Sequence, residues 1–170
     1  EDSLIVPRME WTLNRGVLLK NDLISLDIVA NNIMERPIYF AVSVGPDAYL
    51  GMEKYFQLEG LTYRIVPIKS TRKNEAEFGR VNTKAMYDNV MNRFDWGNMN
   101  HPDVYMDENN LRMTTNVRIN CTRLAEALLS EGKKEEAEKV MDKSIAMMPD
   151  TNVPFNFFVS DLPELYYQCY

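Results

Sequence analysis

The sequence predicts a small α/β unit over residues 1–80, with a mainly parallel sheet and crossover helices, followed by an all-helical region over residues 81–170. Three observations carry this. Before residue 66, apolar or alternating runs of strand length take turns with segments of helical spacing, the order of a parallel sheet joined by right-handed crossovers. A polar stretch, "KSTRKNEAEFGR" at 69–80, then ends the alternation and reads as a solvated loop. Beyond it apolar residues recur every three or four positions, and residues 118–151 form a 34-residue unit with the spacing of two packed helices.

In chain order, Met9, Trp11 and Leu13 alternate with polar neighbours across 8–13, the mark of a half-buried strand that Asn14-Arg15-Gly16 breaks. Asn21 is placed to cap a helix from Asp22 to about Met34, with Leu23, Leu26, Val29, Ala30 and Ile33 on one face. Pro37 ends the next turn. The apolar run Ile38–Val44 reads as a strand covered on both faces and as the centre of the sheet. Gly45-Pro46-Asp47 has turn composition, and Tyr49–Leu58 is expected as a short helix closed near Gly60. Leu61, Tyr63 and Ile65 alternate with Thr62 and Arg64 in a last strand, which Pro67 ends or pushes to an edge. Three short strands leave an antiparallel edge open as an alternative.

In the helical region, Asn82 or Thr83 can cap a helix striped by Tyr87, Val90, Met91 and Phe94. "DWGNMNHPDVYMDENN", residues 95–110, is expected to be a long irregular loop. Helix returns from about Leu111, with Val117, Cys121, Leu124, Ala125 and Leu128 on one face. The unit at 118–151 resembles a tetratricopeptide repeat. Leu124, Ala125 and Leu128 match packing positions of its first helix, Gly132 its turn, Ala137, Met141 and Ser144 those of its second helix, and Pro149 its end. Small side chains at a crossing let two helices approach, and a proline stops the second. Cys121 and Ser144 depart from the usual pattern, which has a bulky aromatic and an alanine there. Residues 155–169, with Phe155, Phe157, Phe158, Leu162, Leu165 and Tyr166, are expected to begin another repeat that is cut short, because a single repeat cannot bury its own face.

Composition narrows the function classes. The chain has 45% hydrophobic and 26% charged residues, as globular domains do. A net charge of −6 and the lack of any sizeable Lys/Arg cluster argue against nucleic acid as a partner. No apolar run approaches the ~18 residues that span a bilayer, and Glu1 opens a polar segment, so a soluble stretch beginning mid-sequence is expected. Cys121 and Cys169 form no CxxC pair and His101 is the single histidine, so neither a metal site nor a cofactor is expected. A bridge between the two cysteines stays open.

Two surfaces are candidates for binding. Ligands of open parallel sheets sit beyond the carboxyl ends of strands, which points to Gly45, Asp47, Tyr49 and Gly51, with Tyr55 nearby. The competing account is a turn that needs Gly and Pro, beside aromatics that cover the sheet. No GxGxxG motif or Walker lysine supports a phosphate cradle. In the 95–110 loop, Trp96 is placed to stack on a sugar ring, with Asp95, Asn98, Asn100, Asp103 and Asp107 as hydroxyl partners or calcium ligands. Caps and turns are the competing role for those residues, and no EF-hand spacing is present. His101 has no paired nucleophile, and Glu135 with Glu136 reads as solvated surface. No catalytic set is recognisable.

"NDLISLDIVANNIMERPIYFAVSVGPDAYLGMEKYFQLEGLTYRIVPIK", "GRVNTKAMYDNVMNRFDWGN" and "DENNLRM" together resemble a bacterial multi-pass membrane family of unknown function. That family is placed among membrane-embedded glycosyltransferases of the protein O-mannosyltransferase type. In it, a region like this one follows the transmembrane part and runs into tetratricopeptide repeats. The resemblance implies a periplasm-facing portion of a membrane glycosyltransferase from Gram-negative bacteria, with the catalytic residues in the membrane part. It carries over no catalytic residue to this chain. The function expected is a non-catalytic accessory domain whose repeat docks the membrane domain of the same polypeptide, or a peptide or protein partner. A carbohydrate-binding accessory domain that uses the Trp96 loop is the alternative, and a stand-alone enzyme is the weakest option.

Overall fold

Glu59-Gly60-Leu61 joins two apolar runs, and Gly60 takes φ +120°, a region closed to most side chains. The turn lets the Glu59 N–H donate to the Thr62 carbonyl (3.0 Å) and folds β2 (Phe56–Leu58) back on β3 (Thr62–Ile65) as an antiparallel hairpin. β1 (Tyr39–Ala41) lies antiparallel on the other side of β3, in the register Tyr39↔Arg64, Phe40↔Tyr63, Ala41↔Thr62. β4 (Arg80–Val81) runs parallel to β2, giving the order β1-β3-β2-β4. The sheet is therefore mixed and not mainly parallel. A three-residue connection is too short for the crossover of a dozen or more residues that parallel neighbours need.

This computed structural model describes residues 4–13, 15–70 and 77–170, and of Phe158 the backbone only. Residues 71–76 of the polar loop and Asn14 of the first break lie outside the described residues. The chain divides into two compact units, Glu1–Asn82 and Thr83–Tyr170.

In the first unit, α1 (Lys20–Asn32) begins one residue before Asn21, and its cap is Leu19, whose N–H donates to the Asp22 carboxylate (2.9 Å). That carboxylate is buried and also accepts from Arg15 Nη1 through both oxygens (2.9 and 3.1 Å). Leu26, Val29 and Ile33 face inward, whereas Leu23 and Ala30 are exposed, so the buried stripe is narrower than the spacing implied. Residues 9–13 alternate in burial as expected but pair with no strand among the described residues. They hang on Tyr55, whose hydroxyl accepts from the Glu10 N–H (2.8 Å) and donates to the Glu10 carbonyl (3.0 Å), with Trp11 edge-on to its ring.

Two further expectations fail in this unit. Only Tyr39–Ala41 of the run 38–44 is strand, and it is an edge strand with Tyr39 46% exposed, so the centre of the sheet lies at β2 and β3. Tyr49–Leu58 is not a helix. A 3-10 turn over Pro46–Tyr49, left-handed backbone at Leu50 (φ +55°) and Gly51 (φ +82°), a second 3-10 turn over Glu53–Tyr55 and β2 occupy the span instead. The left-handed pair breaks any continuous helix. The core here is aromatic: Tyr49 meets Phe40, Phe56, Tyr63 and Phe78 edge-on at 4.9 to 6.0 Å.

The second unit opens with α2 (Thr83–Asp88), which runs into a π turn over Asn89–Arg93 closed by the Phe94 N–H on the Asn89 carbonyl (2.8 Å). The wider turn shifts the register, so Met86 and Val90 are the buried members and Tyr87, Met91 and Phe94 are half-buried. Irregular chain follows to Asp107, whose carboxylate caps α3 (Glu108–Ser130) by accepting from the Asn110 N–H (2.7 Å). Gly132, at φ +76°, lets the Lys133 N–H return to the Leu128 carbonyl (2.9 Å), a helix stop that releases the chain into α4 (Lys134–Met147). Packing of α3 on α4 forms the core of this unit, with Leu124, Ala125, Leu128, Ala137, Val140 and Met141 fully buried.

After Pro149 the chain does not enter helix at 155. It runs irregularly to a 3-10 turn at Phe157–Val159, and α5 (Leu162–Cys169) starts with Pro163 in its first turn. Arg118 on α3 pins this irregular stretch. It is 2% exposed, and its guanidinium donates to the carbonyls of Met148, Val153 (2.9 Å) and Pro154 (3.3 Å) while lying 4.2 Å from the centre of the Phe155 ring.

Candidate functional site

The helical unit carries a groove of about 600 Å³ lined by Ile145 of α4, by Phe155 and Val159, and by Pro163, Tyr166, Tyr167 and Tyr170 of α5. Its construction follows from the sequence. Val159, Leu162 and Leu165 turn inward and anchor the segment, so the i, i+4, i+7 series Pro163, Tyr167, Tyr170 faces out. Tyr167 and Tyr170 are 83% and 88% exposed. Phe155 is held in place from behind by Arg118, and its N–H donates to Asp150 Oδ1 (2.8 Å).

Two carboxylates one helical turn apart on α4 fix the rim. The Tyr166 hydroxyl donates to Asp142 Oδ1 (2.8 Å) and the Tyr170 hydroxyl to Glu138 Oε1 (2.8 Å). Burial, then the Asp142 hydrogen bond, raises the Tyr166 phenol above its ordinary range, and the Glu138 hydrogen bond raises that of Tyr170, so both remain neutral donors. Cys169, on the same helix, donates its thiol to the Leu165 carbonyl (3.4 Å) and is free, as is buried Cys121.

The surface expected beyond Val44 is assembled differently. Gly45 and Asp47 are exposed in a 3-10 turn, and the Asp47 carbonyl accepts from Arg15. Tyr49 is buried, donates to the Val44 carbonyl (2.6 Å) and has its phenol pushed up to about 12, chiefly by burial. Gly51 meets Thr12, whose carbonyl oxygen would sit 2.4 Å from an added Cβ, and Tyr55 is buried on Glu10. Tyr49, Gly51 and Tyr55 therefore hold the unit together, and only Gly45 and Asp47 reach its surface.

In the 95–110 loop, Trp96 is 7% exposed and packs edge-on to Phe94 at 5.7 Å, so its indole has no face free for a sugar ring. Asn98, with φ +56°, and Asp103 are exposed turn residues, and the Asp103 N–H donates to His101 Nδ1 (3.3 Å). Asn152 ties the loop down by donating to the carbonyls of Met99 (3.0 Å) and His101 (2.6 Å). The residues matched to repeat packing lie at the α3–α4 contact. Leu124, Ala125, Leu128, Ala137, Met141 and Ser144 are buried, Gly132 is in the turn, and the Pro149 carbonyl accepts from Asn152 and Val153. Sequence reasoning missed Ile145, Tyr167 and Tyr170. The signal was the stripe of α5 itself, hidden while 155–169 was read as one helix.

Among the described residues, no helix is long and apolar enough to cross a membrane, and no three His, Cys, Asp or Glu side chains gather as a metal site. A mixed four-stranded α/β unit followed by a helical unit defines the class of this chain. Residues 1–85, half of its length, match the family model of TMEM260-associated domain 2, and the chain belongs to that family. No curated protein and no solved structure matches it.

Proposed function

We propose that this chain is a non-catalytic, periplasm-facing accessory domain of a membrane-embedded, glycosyltransferase-like protein, and that its helical unit docks another polypeptide segment. The observation that carries the reading is the groove beside α4 and α5, which keeps large aromatic side chains in water at a place built rigidly from behind. Support for the membrane setting comes from the sequence resemblance and from a family name that ties the domain to a TMEM protein. The 118–151 unit, with its tetratricopeptide-like spacing, supplies the scaffold, since such hairpins present faces to neighbours and partners. The docked segment belongs to the membrane part of the same polypeptide or to a protein partner.

A photo-crosslinking residue placed at Tyr167 in the full-length protein, in its native membrane, tests this. A discrete crosslinked segment is expected from Tyr167, with none from the exposed Lys139 on α4. No crosslink from Tyr167 or Tyr170, or the same product from Lys139, removes the docking reading.

A further inference from the structure

We infer that α1 pairs with the α1 of a second copy of this chain, antiparallel across a two-fold axis that passes between Leu23 and Ile24. Of the helix only Asp22 and Val29 are buried, and Arg15 clamps its start through both oxygens of the Asp22 carboxylate (2.9 and 3.1 Å), so the opposite face is presented in a fixed orientation. That face carries Leu23, Ile24 and Ile28, and Leu19 of the cap extends it, each 48 to 60% exposed. Lys20 and Asp27 stand on the same stripe, two turns apart, and both are exposed. Asn31 Nδ2 donates to Asp27 Oδ1 (2.8 Å) and holds the carboxylate there.

The order of these residues names the occupant. In an antiparallel helix pair, residues equally far from the centre on either side face each other. Centred between Leu23 and Ile24, Leu23 meets Ile24, Lys20 meets Asp27 and Leu19 meets Ile28, each pairing occurring twice. Apolar side chains thus meet apolar ones and each cation meets an anion, which is the self-complementarity that an interface between identical patches requires. A lipid surface fits this face poorly. A helix lying in a membrane keeps its charges on the polar side and favours cations, whereas Asp27 and Asn31 stand in the middle of this stripe. The 13-residue helix is about 20 Å long, so the pair covers less than the roughly 800 Å² a side of a standard interface, and it forms only at concentrations on the order of 100 μM.

The test is sedimentation of the 170-residue chain over a concentration series, alongside Lys20→Glu, Asp27→Lys and an equal mixture of the two. The parent is expected to dimerise reversibly. Each single substitution turns two attractions into two repulsions and is expected to weaken the dimer about tenfold. The mixture is expected to regain it, because the carboxylate introduced in one variant then faces the ammonium introduced in the other, while native Lys20 faces native Asp27. Ile24→Ser, which touches no charge, is expected to weaken the dimer comparably, and Tyr167→Ser, in the groove of the other unit, to leave it unchanged. In the full-length protein a photo-crosslinking residue at Ile24 is expected to join two copies of the chain. A parent that stays monomeric at about 1 mM, a mixture no tighter than either variant alone, a dimer indifferent to Lys20→Glu, or an Ile24 crosslink confined to one polypeptide or to lipid each overturns the inference.

Discussion

Arg118→Met removes the more deeply buried of the two buried arginines of α3, Arg118 and Arg123. Methionine keeps most of the stem packing on α3 and removes the guanidinium, leaving the carbonyls of Met148, Val153 and Pro154 without their donor. A buried acceptor left unsatisfied costs about 1 to 3 kcal/mol, so the two buried ones, at Met148 and Val153, cost at least about 2 kcal/mol, while the Pro154 carbonyl belongs to an exposed residue. Against this stands the relief of a desolvated charge, since burial already holds the Arg118 guanidinium below its ordinary range. Attraction by Asp150 already offsets part of that penalty, so the relief is partial. The net expectation is a loss of about 2 kcal/mol from the helical unit, or about 8 °C or more in its Tm at 4 to 8 °C per kcal/mol for a unit of this size. Circular dichroism melting measures the loss, and amide hydrogen exchange locates it, with the Val153 and Phe155 N–H groups losing protection first. Arg118→Lys, which keeps the charge and loses the planar fork, is expected to fall between. A Tm within about 3 °C of the parent for Arg118→Met would refute the reasoning, because it would mean that the three carbonyls do not depend on the arginine.

Two other substitutions test the packing on each unit. Gly79→Ala forces a Cβ to within 2.3 Å of the Phe56 carbonyl oxygen at φ +70° and is expected to cost the first unit at least about 2 kcal/mol, whereas Gly132→Ala, at φ +76° with open space around it, costs the second unit about 1 kcal/mol. Urea titrations of the two variants that show equal losses would contradict the close approach at Gly79. Burial raises the Cys121 thiol from 9.0 to about 12, so the unfolded chain ionises first. Stability is then whole below pH 9 and drains as pH rises toward 12, by up to about 4 kcal/mol at 1.36 kcal/mol per pH unit. Cys121→Ala is expected to flatten that alkaline slope, and an unchanged slope would place its origin elsewhere.

The helical unit was more legible in the sequence than the sheet, for a reason of range. Leu124, Ala125 and Leu128 fall on one stripe because of the helix they are in, and Gly132 stops that helix through bonds only a few residues long. Strand pairing is decided by residues far apart, and two local patterns misled. Tyr49, Met52 and Phe56 sit at helical spacing, yet 3-10 turns and a strand bury all three, so a short periodic run does not select one structure. The run Ile38–Val44 is apolar throughout, yet β1 has β3 on one side and no strand on the other among the described residues. The sign that would have corrected both is the Glu59-Gly60 turn between apolar runs, a hairpin mark that makes β2 and β3 antiparallel neighbours.

The candidate site shows the same limit at the level of single side chains. Trp96 sits among Asp and Asn residues and looks exposed by its neighbours in sequence, but Phe94 covers it. Tyr167 and Tyr170 sit among apolar residues and look buried, but they face water. What separates the cases is tertiary packing: Leu162 and Leu165 take the inward positions of α5, which leaves Tyr167 and Tyr170 outside. Had helix begun at Phe155, Phe155 and Phe158 would have shared one face with Leu162 and Leu165. Arg118 holds the carbonyls at 148, 153 and 154 and fixes Phe155, α5 begins at Leu162, and the inward positions go to Leu162 and Leu165 while Phe155, Tyr167 and Tyr170 line a groove. Arg118 thus sets the place of Phe155, while the phase of α5 itself turns Tyr167 and Tyr170 to the surface. Stability of the helical unit and integrity of the groove should therefore fail together in Arg118→Met, while Tyr167→Ser removes groove binding and leaves the melting transition unchanged.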